Sequence, residues 1–331
     1  MLGIIAVIGV AATATIVTTL SATVLRNEQA RKTSGALALA KQALVGRAAS
    51  DDNRPGSLPC PDTTNDGLSD IVDSSGACVA TVGRLPWQTL GLPDLRDADG
   101  ERLWYALSQH FSDSSGNVIN SNTLGQINIT GAVVAENVVA IVFAPGAPVN
   151  GQTRKAETVN SSPSYLETYV NATTFSTSAD GRTYNDRPLE INDQLMVVSA
   201  ADVFSVVQRR VSTEVKNALT AYAAANGGSY PVPALPTNPG CLNATASQYC
   251  TSGTGTTGLI PATPDSAYPA AAALLDHSPS LEVTANNWFD KNNWRAVVQY
   301  QQSPAVTVGF TGVPSGNTAQ IASTTYSMSV Q

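Results

Sequence analysis

Met1-Leu-Gly-Ile-Ile-Ala-Val-Ile-Gly-Val-Ala-Ala-Thr-Ala-Thr-Ile-Val-Thr-Thr-Leu-Ser-Ala-Thr-Val-Leu25 contains no charged side chain. Charge arrives only with Arg26-Asn-Glu-Gln-Ala-Arg-Lys32, and an Ala/Leu-rich stretch runs on from Gly35 to Ala49. The first proline is Pro55, so nothing here breaks a helix. One continuous helix over this span would be roughly 75 Å long at 1.5 Å per residue. Its first half is apolar all round and its second half amphipathic: an anchor joined to a stalk.

About 20 apolar residues cross a bilayer, and Met1, Leu2, Ile4, Ile5, Val7, Ile8, Val10, Ile16, Val17, Leu20, Val24 and Leu25 supply the bulky ones. Gly3, Gly9, Ala11, Ala12, Thr13, Thr15 and Thr18 interrupt them. Small residues let membrane helices approach closely, so two readings stand: an ordinary anchor, or a helix that packs on copies of itself. A cleaved secretory signal fits poorly, because no basic region precedes the apolar run and no turn ends it. Arg26, Arg31 and Lys32 would place the remainder in the cytoplasm by the positive-inside rule. A basic leader removed from before Met1 would reverse that expectation.

The chain has 331 residues, a formal net charge of -7 and only 13% charged residues. That length suits one large or two modest domains. Lys and Arg form no extended basic run, so there is no nucleic-acid signal. The cysteines fall as two local pairs, Cys60 with Cys78 and Cys241 with Cys250. Four cysteines allow three connectivities; the local one closes a short Gly/Pro/Asn-rich loop in each half. Zinc is disfavoured, since neither pair is CxxC and the histidines are only His110 and His277. Two disulfides imply an oxidising compartment.

An order of features occurs twice. Lys41-Gln-Ala-Leu-Val-Gly-Arg-Ala-Ala-Ser50 and Pro55-Gly-Ser-Leu-Pro-Cys-Pro61 parallel Lys216-Asn-Ala-Leu-Thr-Ala-Tyr-Ala-Ala-Ala225 and Gly227-Gly-Ser-Tyr-Pro-Val-Pro233. A cysteine loop follows each, then Gly83-Arg-Leu-Pro86 or Gly258-Leu-Ile-Pro261, then a tryptophan stretch, Asp97 to Tyr105 or Asp290 to Tyr300. The spacings differ, so this is either a degenerate duplication or chance recurrence of Ala-rich helices and Gly/Pro turns. Val203, Phe204, Val206, Val207, Val211, Val215 and Leu219 fall at helical spacing behind Asp202 as N-cap. Strand-like runs are Leu103 to Leu107, Ala132 to Phe143, Arg295 to Tyr300, Ala305 to Phe310 and Ala319 to Val330. Between Ala147 and Asn192 lies a Ser/Thr/Asn-rich excursion, expected to carry a short hairpin around Gly181. The expected fold is α+β: a long N-terminal helix on an antiparallel sheet, with a second helix-plus-sheet lobe. The expected regions are 1–50 (helix and stalk), 51–198 (first lobe) and 199–331 (second lobe).

The long apolar-then-amphipathic helix followed by a disulfide loop and antiparallel strands resembles type IV pilins and type II secretion pseudopilins. Leu58-Pro-Cys-Pro-Asp62, Gly83-Arg-Leu-Pro-Trp-Gln-Thr-Leu-Gly-Leu-Pro93 with Arg96-Asp97, Ile141-Val-Phe-Ala-Pro-Gly146 and Tyr184-Asn-Asp-Arg-Pro188 resemble a group of large proteobacterial pilin-like proteins. The resemblance implies a homo-oligomeric helical filament, an inner-membrane assembly platform and a prepilin peptidase as partners. It also implies residence in the inner membrane before assembly, then in a periplasmic or extracellular filament. Two departures stand out. Pilin precursors carry a short basic leader ending in glycine, and most carry a glutamate near the mature N-terminus, where Ile5 stands here.

For chemistry, Asp62-Thr-Thr-Asn-Asp-Gly-Leu-Ser-Asp70 gathers Asp62, Asn65, Asp66 and Asp70 on one loop. Oxygen ligands around a glycine bend suit Ca²⁺, but the loop does not match the EF-hand pattern, and an ordinary Asx-rich turn is the preferred reading. Asp97 is expected to pair with Arg96 or Arg102, or to cap a turn. No GxSxG or HExxH is present and no catalytic constellation is recognised, so an enzyme is not expected. Trp87, Trp104, Trp288 and Trp294 are expected as core anchors.

Overall fold

In a computed structural model, the structure describes residues 2–132, 134–149, 152–167, 182–186, 192–225, 227–231, 233, 257–260, 288–301, 307–310 and 325–327, with only the backbone described for 2–22, 182, 183, 185, 186, 225, 257–259, 290, 296, 299, 300, 307, 309 and 325–327. In chain order the elements are α1 (Leu2–Ser50), β1 (Val82–Arg84), β2 (Trp104–Leu107), β3 (Ile127–Gly131), β4 (Ala135–Val138), β5 (Ala140–Ala144), β6 (Arg182–Asp186), β7 (Gln194–Val198), α2 (Ala200–Ala225), β8 (Thr257–Leu259), α3 (Trp288–Lys291), β9 (Val298–Gln301), β10 (Thr307–Phe310) and β11 (Thr325–Ser327). The fold is α+β, with antiparallel sheets and helices.

α1 packs as its sequence pattern requires. Thr33, Leu37, Ala40, Leu44 and Ala48 are buried, at the three-and-four spacing of one helix face. They lie against the first sheet, strand order β1-β2-β5-β7, which is antiparallel throughout. That sheet is covered on both faces. Tyr105, Leu107, Ala140, Val142 and Ala144 meet the helices, while Trp104, Ala106, Ile141 and Phe143 meet a second cluster with Ile127, Ile129, Val138 and Tyr184. Two-sided burial explains why β5 is apolar at every position.

The run Ala132 to Phe143 is therefore not one half-buried strand. It divides into β4 and β5, which belong to different sheets, and the break follows Asn137, whose φ of 56° is left-handed. β6 supplies a parallel partner to β3, the one departure from antiparallel pairing among the described strands. The hairpin expected around Gly181 would draw its other arm from residues outside the described ones, and Gly181 lies there too. In the second half the strand is shorter than Arg295 to Tyr300. Asn293 is left-handed, Trp294–Ala296 form a 3-10 turn, and β9 begins only at Val298.

α2 starts one turn before the expected cap. Ser199 Oγ accepts from the Asp202 amide (3.2 Å), and Asp202 Oδ2 accepts from the Ser199 amide (2.8 Å) and hydroxyl (2.7 Å). Ser199 is thus the N-cap, and Asp202 is its reciprocal partner three residues on. α2 runs beside α1 in the same direction: Lys41 pairs with Asp202 at 2.8 Å, and Arg210 donates to the carbonyls of Ala49 (2.9 Å) and Asp51 (2.5 Å). Its buried face (Val203, Phe204, Val207, Val211, Val215, Leu219) belongs to the same core cluster as α1, Trp294, Val298, Val308 and Phe310.

The second four-stranded sheet has the order β8-β9-β10-β11 and is again antiparallel. Gly83 sits opposite Tyr105 and Tyr105 opposite Val142, while Gly258 sits opposite Tyr300 and Tyr300 opposite Val308. Each half thus begins with a helix and holds a four-stranded sheet whose strands pair in chain order, with its Gly-x-x-Pro glycine opposite its tyrosine; in the first half β3, β4 and β6 intervene as a sheet of their own.

Candidate functional site at the base of the projecting helix

Residues 23–32 of α1 are exposed at every position, and burial begins at Thr33. Val24 (59% exposed) and Leu25 (65%) face solvent there. Leu2, Ile4, Ile5, Val7, Ile8, Val10, Ile16, Val17 and Leu20 belong to the same helix, but their side chains, and Met1, lie outside the described residues. From the described residues alone, no helix is long and apolar enough to cross a membrane. The apolar segment Met1 to Leu25 falls almost wholly outside that description.

α1 meets the body where Thr33 Oγ1 accepts from the Ala98 amide at 3.1 Å. Around this point is an open cleft of about 260 Å³. One wall is a single face of α1, with Arg26, Gln29, Ala30 and Thr33 at i, i+3, i+4 and i+7. The other comprises Ala98, Asp99, Ala144, Gly146, Ala147, Asn192 and Gln194. Beneath it Asp97 is fully buried. Its carboxylate accepts from the amides of Asp99 (3.0 Å), Glu101 (2.9 Å) and Gly146 (2.9 Å). Burial pushes its pKa up, against the pull of these hydrogen bonds. Of the two expected roles Asp97 takes the turn cap; Arg96 and Arg102 both go instead to Asp94.

The first disulfide forms as expected, Cys60 to Cys78, with Cα atoms 5.2 Å apart. Cys241 and Cys250 lie outside the described residues. Inside the loop Asp62 Oδ1 and Asp70 Oδ2 share the Thr64 amide, and every candidate calcium ligand already has a partner in the chain. Asp62 Oδ1 accepts from the amides of Thr64 (3.0 Å) and Asn65 (2.5 Å), and its Oδ2 from that of Gly67 (2.6 Å). Asp70 Oδ2 is held by the Thr63 amide and hydroxyl, Asp66 Oδ1 by the Leu68 amide, and Asn65 Oδ1 by Arg102. The loop's own amides and a guanidinium occupy these oxygens, so the geometry is that of an Asx-rich turn. Among the described residues no group of three His, Cys, Asp or Glu could hold a metal ion.

Arg84 was not singled out by its sequence context beyond its place in the Gly83-to-Pro86 motif. It is 3% exposed and lies between the rings of Trp104 and Tyr165, each 4.2 Å away. It donates to the carbonyls of Arg102 (3.0 Å) and Val159 (2.9 Å). Desolvation lowers its pKa to about 10, so it stays charged at neutral pH, steadied by ring faces and carbonyls. Trp104, Trp288 and Trp294 are buried as expected. Trp87 is half-buried and covers Gly67, whose added Cβ would strike its ring at 2.5 Å.

Family models, characterised proteins and solved structures were compared with the chain, and none matches. Function must therefore be argued from the projecting helix and its surroundings.

An ion network closes the far end of α1. Buried Asp51 pairs with Arg47 (2.7 Å), and Arg54 pairs with Asp113 (2.5 Å). Burial, and then the neighbouring Asp51 charge, raises the Asp113 pKa. With Arg210 on the last carbonyls, this network fixes where the stalk stops and the loop begins. The sequence showed the charges but not which partners folding brings together across more than a hundred residues.

Proposed function

We propose that the chain is a structural subunit of a type IV pilus-like filament, held in the inner membrane by its N-terminal helix before assembly. The observation that carries this reading is the emergence of α1 from the body at Thr33, with residues 23–32 exposed at every position. An unpartnered helix is marginal in water, and the uncharged residues from Met1 to Leu25 would expose their side chains to it. A bilayer first, and copies of the same helix later, would remove that surface at about 25 cal/mol per Å². The small residues along the segment suit close helix–helix approach. The α+β body would coat the filament, and its surroundings would be oxidising, in keeping with the Cys60–Cys78 bond.

The matched strand order and Gly–Tyr register of the two sheets support reading the body as a duplicated helix-plus-sheet unit. Lys41 pairs with Asp202, not with its sequence counterpart Lys216, so the second unit is displaced by about four turns, roughly 20 Å along the helix axis. The partners are then other copies of this chain, an inner-membrane assembly platform and a prepilin peptidase. No catalytic role is assigned. A minor or tip subunit is the second reading, favoured by Ile5 standing where most pilins carry glutamate.

Co-expression with an assembly platform, followed by shearing, tests this directly. A major subunit is the main band of the sheared fibres, whereas a tip subunit is present in trace. Deleting Met1 to Leu25 should give a soluble monomer. A full-length chain that is equally monomeric in detergent and never enters fibres would instead be an anchored periplasmic binding protein.

A further inference from the structure

The cleft at the base of the projecting helix carries both signs of charge and an unmet hydrogen-bond requirement. Arg26 is the first charged residue after the uncharged segment, and with Gln29 it forms the helix wall of the cleft. Exposed Asp99 faces it from the body. Asn192 donates from Nδ2 to the Ala147 carbonyl (2.6 Å), which leaves Oδ1 as an acceptor, buried and without a donor among the described residues. Gly146 approaches so closely that a Cβ there would lie 2.9 Å from Asn192 Nδ2, so this amide cannot swing away freely. At about 260 Å³ the cleft is smaller than the roughly 300–1,000 Å³ of drug-sized ligand sites. It suits a small polar group.

The arrangement discriminates among charges. A simple anion would meet Asp99, with the buried Asp97 carboxylate beneath it; a simple cation would meet Arg26. A zwitterion with its anionic end toward α1 and an N–H-bearing cation toward Asp99 satisfies both walls. Depth decides the source. If Met1 to Leu25 occupy hydrocarbon, Arg26 lies at the level of the lipid phosphates, where cationic side chains meet headgroups. We propose that the cleft seats the headgroup of a zwitterionic aminophospholipid, its phosphate on Arg26 and Gln29 and its ammonium on Asp99 and Asn192 Oδ1. The inference rests on the membrane-inserted state proposed above. The headgroup would fix the height and rotation of the body on the membrane, and leaving the bilayer for a filament would mean giving up that lipid.

The test uses the full-length chain in vesicles containing equal parts phosphatidylethanolamine, phosphatidylcholine and phosphatidylglycerol. Flotation is measured first, then the lipids retained after mild detergent extraction, by native mass spectrometry. Phosphatidylcholine has the same charges but no N–H to donate, so phosphatidylethanolamine should be retained about tenfold more, the worth of one charge-assisted hydrogen bond. R26Q and D99N should each abolish that preference, and K155Q, on the surface elsewhere, should keep it. Equal retention of the two zwitterionic lipids would overturn the proposal. So would preference for phosphatidylglycerol, or retention of added glycerophosphoethanolamine in place of lipid. Flotation without headgroup selection removes this inference alone; failure to float removes the membrane reading and the inference with it.

Discussion

A methyl group on Gly83 would run into the backbone carbonyl of Asp62. The contact is close because Asp62 and Arg84 exchange both backbone hydrogen bonds, at 3.0 and 2.6 Å, which straps the disulfide loop to the edge of the first sheet. Gly83→Ala should therefore cost about 1–3 kcal/mol, the range for forced overpacking. A shift of the denaturant midpoint checks it; an unchanged midpoint would mean the strap can move aside. Asp202 offers a test with a pH signature. Burial raises its pKa, but hydrogen bonds and charge from Lys41 and Ser199 outweigh that and leave it below the ordinary 3.8. A depressed folded pKa contributes stability above the unfolded value and loses it as pH falls through the folded one. Asp202→Asn should cost about 1 kcal/mol at neutral pH, as the loss of a cap does, and progressively less as pH falls through the lowered folded pKa, below which the wild-type group is itself protonated. Parallel denaturant titrations of both proteins from pH 7 downward would show whether the difference closes as the solution becomes acidic.

At the scale of elements, legibility followed periodicity. α2 was readable because its apolar residues recur every three or four positions, and α1 because nothing interrupts it. β2 was placed within a residue, since Leu103 to Leu107 is short and bounded by turns. The run Ala132 to Phe143 misled because two-sided burial erases alternation: β5 is apolar throughout, and its boundary with β4 depends on one left-handed asparagine. The Asp62 loop left two readings open. Carboxylates around a glycine serve a cation or their own amides equally well in one dimension, and only the fold shows the amides turned inward. Cys60–Cys78 braces that loop, where Val72 donates to the Ala77 carbonyl (2.7 Å) and Val79 to that of Asp70 (3.2 Å). Removing the bond with a Cys60→Ser, Cys78→Ser double variant should cost about 3 kcal/mol, the chain-entropy value for a loop of this length. Hydrogen exchange should then show lost protection at Val72 and Val79, while β2 and β5 keep theirs. Equal loss across the sheet would mean the disulfide supports the whole first half.

For the whole molecule, the doubled sequence and the single core pull in different directions. Two helix-plus-sheet units suggest two transitions on heating, yet the buried cluster is continuous from α1 through α2 to the second sheet. Phe204 contacts both Phe111 (ring centroids 5.9 Å apart) and Trp294 (6.1 Å), and Trp294 goes on to Phe310 (6.1 Å). Asn292 reinforces the join, with Oδ1 accepting from the Ile119 amide (3.1 Å) and its carbonyl accepting from Asn120 Nδ2 (2.8 Å). A half released alone would expose an apolar helix face and strand these buried polar groups, which costs about 1–3 kcal/mol for each unsatisfied group. Residues 26–331 should therefore unfold in one transition, with calorimetric and van't Hoff enthalpies equal. Phe204→Ala, at the centre of the aromatic chain, should lower stability by about 3–5 kcal/mol and move that one transition intact. If only part of the heat absorption shifted, and a second peak stayed in place, the halves would be independent folding units despite their shared core.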